Sequence, residues 1–83
     1  ETAGQNEMTD QILIAIGPEG EYFLNNHEID SDGLKQALQL AGEANPDQPV
    51  LLVSDEETPL KFVTAVMDWC RTNDLNKLKL KSR

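Results

Sequence analysis

An unbroken apolar run of strand length, Val50-Leu51-Leu52-Val53 after Pro49, demands cover. A strand with apolar side chains on both faces sits centrally in a sheet or is buried on both sides, so the rest of the chain must supply its neighbours. Gln11-Ile12-Leu13-Ile14-Ala15-Ile16 is the first candidate: a β-branched apolar run closed by Gly17-Pro18-Glu19-Gly20, a pairing of strand former and turn residues. Glu21-Tyr22-Phe23-Leu24 then reads as a second strand in a hairpin with the first, and Asn25-Asn26 as a further turn before a short extended stub, His27-Glu28-Ile29.

Helical spacing appears twice. Asp30-Ser31-Asp32 offers side-chain oxygens for a helix start, and Leu34, Ala37, Leu38 and Ala41 recur at steps of three and four until Asn45-Pro46 stops the pattern. After the apolar run, Thr58-Pro59 predicts an N-cap followed by proline at the first helical position, with Glu56-Glu57 near the positive helix end. Leu60, Val63, Met67 and Cys70 are expected on the core face of this helix, flanked by Phe62, Val66 and Trp69, up to Thr72-Asn73-Asp74. Lys77-Leu78-Lys79-Leu80-Lys81 alternates strictly, which predicts a half-exposed antiparallel strand with Leu78 and Leu80 towards the core. The order β-β-α-β-α-β gives an α+β two-layer sandwich, with both helices on one face of a small mixed sheet. Residues 1–10 lack periodicity and read as a flexible linker, residues 11–81 as one domain, and 82–83 as a tail.

Composition narrows the function. The chain of 83 residues carries 15 acidic and 7 basic side chains, a net charge of −8 that repels nucleic-acid phosphates. One cysteine, Cys70, leaves no disulfide framework, redox pair or multi-cysteine zinc site, and one histidine, His27, no histidine-rich metal site. No run approaches the roughly 18 apolar residues of a membrane span. The carboxylates Asp30, Asp32, Asp55, Glu56 and Glu57 stand at helix starts, where capping accounts for them, and their spacing is not that of a calcium loop. Ser31, Ser54 and Cys70 lack the surroundings of an activated nucleophile; Cys70 falls on an apolar stripe and reads as a structural thiol. His27 beside Glu28 reads as a surface imidazole. No catalytic residue, metal or cofactor is expected. The lysine-bearing last strand reads as a charged sheet edge that discourages indiscriminate pairing and could still admit a partner strand.

The segment Glu21-Tyr22-Phe23-Leu24-Asn25, a helix, then Asn45 to Asp55, resembles the periplasmic domain of the ExbD/TolR family. So do Val66-Met67-Asp68-Trp69 on the second helix and Asn73-Asp74-Leu75-Asn76-Lys77-Leu78-Lys79-Leu80 after it, so that the likeness runs from about residue 11 to 81. Two departures stand out: Asn73-Asp74 occupy a turn where the family usually carries glycine, and the transmembrane helix with its proton-carrying aspartate is missing. The resemblance implies a non-enzymatic, homodimeric periplasmic domain on a single-pass protein of a bacterial inner membrane. Its implied partners are an ExbB/TolQ-like channel protein, reached through that transmembrane helix, and a TonB- or TolA-like transducer. It also implies a role in proton-motive-force-driven import of the TonB-ExbB-ExbD kind. The alternative is a TolR-like stator domain that binds peptidoglycan. The partner-binding expectation falls on Lys77, Leu78, Lys79 and Leu80 of the last strand, with Asp55.

Overall fold

The computed structural model describes residues 11–82. Strand β1, Ile12–Ile16, turns at Gly17–Gly20 into β2, Tyr22–Leu24, and pairs with it antiparallel, Ala15 opposite Phe23. Gly20 closes this turn with φ of +91°, and the ring of Phe62 fills the space where a Cβ would stand. Asn25 and Asn26 have φ of 50° and 74°, the left-handed pair that a two-residue hairpin needs. The stub after them is a true strand, β3, His27–Ile29, pairing antiparallel with β2.

Asp30 caps helix α1, Ser31–Ala44, its Oδ1 accepting the Gly33 amide at 2.7 Å. Leu34 and Leu38 are buried and Ala37 and Ala41 half-buried, so the expected stripe faces the core. Asn45 is extended ahead of Pro46, where the proline ring disfavours helical geometry. The Gln48 side chain then donates to the carbonyls of Ala41 and Asn45 at the helix end, beside the backbone amides that they already accept.

Strand β4, Val50–Ser54, lies parallel between β1 and β5, Leu78–Ser82, which makes it the interior strand its apolar run requires. The sheet order is β3-β2-β1-β4-β5. Helix α2, Leu60–Thr72, connects β4 to β5. Its end is a left-handed cap: Asp74 takes φ of 64°, its amide bonds the Arg71 carbonyl, and the Leu75 amide bonds the Cys70 carbonyl at 2.9 Å. The aspartate thus adopts the conformation a glycine would otherwise supply.

Both helices cover one face, where Ile12, Ile14, Ile16, Val50 and Leu52 meet Leu34, Leu38, Val63, Val66, Cys70 and Leu75. A close approach at Gly42, where a Cβ would collide with the Asn73 carbonyl, lets the C-terminal ends of the helices meet. Among the described residues no helix is long and apolar enough to cross a membrane.

Three expectations are corrected. The last strand runs parallel, not antiparallel, because alternation reports only which faces side chains occupy, whereas a helical crossover returns the chain in the direction it left. Thr58 is not the N-cap: α2 begins at Leu60 after Pro59 with no side-chain cap. Its Oγ1 instead accepts the Asp55 amide at 3.0 Å and lies within bonding distance of the Ile16 and Gly17 carbonyls, tying the loop to the end of β1. Finally, Leu60 and Met67 are exposed, at 71% and 37%, while Val66 takes the fully buried place, because the α2 stripe is rotated towards Val63, Val66 and Cys70.

Candidate functional site: an open sheet edge and its groove

Strand β5 is the end of the sheet, and among the described residues no strand pairs with its outer side. Its residues pair inward one for one, Leu78 with Val50, Lys79 with Leu51, Leu80 with Leu52 and Lys81 with Val53. Registered partners share a face, so Leu78 and Leu80 lie on the side that carries the helices and Lys79 and Lys81 on the side without them. Lys77, just before the strand, has the lysines' parity, and its carbonyl accepts the Val50 amide at 2.8 Å.

The helix layer stops short of this edge. One flank of α2 carries Phe62 and Trp69, which meet the Tyr22 ring at centroid distances of 6.4 and 5.8 Å; Trp69 also lies under the Lys35 ammonium. The opposite flank carries Leu60, Thr64, Met67 and Arg71 at helical spacing, and the last three line a groove with Leu78 of β5. Leu78 is only half-buried there and Leu80 is 54% exposed, which corrects the expectation that it faces the core. The outermost strand has no helix above it to bury Leu80.

The space left is an open groove of about 590 Å³ walled by Thr64 and Met67, floored by Leu75 and Leu78, with Asp68 and Arg71 at its rim. Because α2 runs antiparallel to the strands it connects, the groove passes from Asn76 along the helix as far as Thr64. Asp68 and Arg71 form an exposed ion pair one helical turn apart.

Four of the five expected partner-binding residues, Lys77, Leu78, Lys79 and Leu80, therefore come together on one edge. Asp55 does not join them: it sits beyond the end of β4, and its Oδ1 accepts the Glu57 amide at 2.9 Å within the loop. Sequence reasoning missed Met67, Thr64 and Leu60, which it placed in the core or left aside. The signal was present in the Leu60-Thr64-Met67-Arg71 spacing, a second stripe beside the buried one, but only the position of β5 gives that stripe a neighbour.

The other reactive side chains do not line the groove. Cys70 is fully buried, and loss of solvation pushes its thiol up to about 11, far from the thiolate a nucleophile needs. Burial also raises the Tyr22 hydroxyl. Ser54 is buried at the end of β4, and His27 is exposed on β3. Among the described residues no three metal-binding side chains gather.

A family model described as "Biopolymer transport protein ExbD/TolR" matches residues 1–83. The chain belongs to the ExbD/TolR family. Similar proteins include ExbD-like 2 biopolymer transport proteins from two strains of Helicobacter pylori, 26695 and J99, each 29% identical over 68 residues. These matches cover 82% of this chain and 49% of each relative, so the chain spans about half the length of the curated relatives it matches. The β-β-β-α-β-α-β domain with its open β5 edge is thus an ExbD/TolR domain.

Proposed function

We propose that this ExbD/TolR domain is the periplasmic docking module of an ExbD-type component in a proton-motive-force-driven complex of the TonB-ExbB-ExbD kind. In this reading it captures an extended segment of the TonB-like transducer by strand addition at β5. The observation that carries the proposal is the edge itself: backbone groups on the outer side of β5 have no strand partner among the described residues, and exposed Leu80 and Met67 stand beside them. An edge strand offers main-chain hydrogen bonds to any extended peptide, and the flanking side chains select among peptides.

Family membership supports the rest of this reading. The whole protein is a single-pass inner-membrane protein whose anchor engages an ExbB/TolQ-like channel, and two copies act together as a homodimer. The domain transmits force and does no chemistry of its own.

Titration of the isotope-labelled chain with periplasmic segments of the TonB-like and TolA-like proteins of the same organism tests this. Saturable amide shifts across Leu78–Ser82 with the TonB-like segment alone are expected. Shifts there with the TolA-like segment alone would move the protein to the Tol system, and pelleting with purified sacculi would then mark a TolR-like peptidoglycan clamp. Unchanged β5 amides with either segment would refute capture at this edge.

A further inference from the structure

We infer that the segment taken up at β5 alternates large apolar and acidic residues, the apolar ones entering the groove beneath Met67 and the acidic ones lying over the lysines; this rests on the proposed edge capture and specifies its guest. An added strand places successive side chains on opposite faces, so the two sides of β5 impose separate demands on its odd and even positions. On the helix side those positions meet half-buried Leu78 and exposed Leu80 and, against Leu78, the 590 Å³ groove whose other apolar lining is Met67 and Leu75. On the other side they meet Lys79 and Lys81, with Lys77 just beyond.

The lysines are uncompensated at this edge. Their neighbours on β4 are Leu51 and Val53, and they make no ion pair with any described residue. In a chain with 15 acidic and 7 basic residues, three basic ones at alternate positions of one edge form a local reversal of the overall field. Opposite charges directly across a strand pair are favourable and like charges unfavourable, so this row selects carboxylates.

The same chemistry rules out two nearer occupants. A second copy pairing β5 with β5 would set lysines against lysines. Residues 1–10 of this chain contain a single large apolar side chain, Met8, and so cannot fill alternate positions of the groove.

The test uses three blocked peptides: alternating leucine and glutamate, alternating leucine and lysine, and leucine and glutamate segregated into two blocks. Hydrogen exchange of the β5 amides and binding affinity are read at physiological ionic strength, beside the transducer segment. The alternating leucine-glutamate peptide is expected to protect β5 and to bind at least about tenfold more tightly than either other peptide. Met67→Glu, at an exposed helix position that leaves the thermal melt in place, should remove most of that binding. The double substitution Lys79→Glu with Lys81→Glu should reverse the preference to leucine-lysine.

Equal binding of the three peptides, or no effect of the substitutions, overturns the alternation. If the transducer segment protects β5 while the leucine-glutamate peptide does not, the alternation falls and edge capture survives. If neither protects it, both fall.

Discussion

Helix α2 has two exposed-side flanks of similar apolar content and opposite fate. Phe62 and Trp69 lean towards β2 and α1, where Tyr22 meets both rings and Lys35 covers the indole. Leu60 and Met67, also separated by seven residues, lie on the opposite flank and remain exposed. The difference is not in the helix, whose two flanks would be equally at home in a core. It lies in what the chain puts beside them: a second helix on one side, the last strand of an open sheet on the other. A flank that closes supplies stability, and a flank that stays open keeps apolar surface available to a partner.

The sharpest way to break this contrast is truncation on each flank. Trp69→Ala should lower the unfolding free energy by about 2–3 kcal/mol, since it removes the ring that joins β2, α1 and α2. Met67→Ala should change it by no more than about 0.5 kcal/mol. Urea unfolding of both variants decides it; equal losses would mean the open flank is part of the core.

Alkaline titration probes the stripe between the flanks. The Cys70 thiol ordinarily ionises near 9.0 and is pushed up to about 11 in the fold, so the folded state holds its proton where the unfolded chain has released it. Stability is therefore unaffected below pH 9 and falls as the pH rises from 9 towards 11, by about 2 kcal/mol from this group. Cys70→Ala lacks that dependence, and the stability gap between it and the parent should narrow over this window. A constant gap would show that the thiol is solvated.

A smaller effect is expected where α2 begins. Thr58→Val keeps the shape and removes the hydroxyl that bonds the Asp55 amide and reaches the carbonyls at the end of β1. The loss should be about 1 kcal/mol in thermal or urea unfolding, accompanied by faster amide exchange at Asp55. A neutral result would mean that Pro59 and the buried stripe alone aim the helix.

Legibility in the sequence followed the range of the interactions. The β1–β2 hairpin, the left-handed Asn25-Asn26 turn, the Asp30 cap and the stop at Asn45-Pro46 depend on residues a few positions apart, and each was readable. So were the central place of Val50–Val53 and the two-layer α+β class. The third strand was underread because His27-Glu28-Ile29 is too short to show a period. Thr58 was misread because a threonine before proline looks like a cap whether its hydroxyl turns to the helix or, as here, to a strand end 42 residues earlier.

For the site, the alternation of Lys77 to Lys81 exposed an edge-like strand and four of its residues, but not the groove. Met67 and Leu60 carried the same hydrophobic signal as Val66, and a helical period in a chain with two adjacent apolar stripes does not say which one turns inward.

By itself the sequence determined the local elements apart from the short β3, their order, the acidic character and the two-sided chemistry of the last strand, because backbone propensity and side-chain parity act between near neighbours. The tertiary structure alone decided that β5 runs parallel to β4, that α2 leans towards Tyr22 and Lys35, and that Met67 is left facing a groove and Leu80 in solvent. Those outcomes depend on where distant segments come to rest, and an apolar residue is buried or bare according to its neighbours in space.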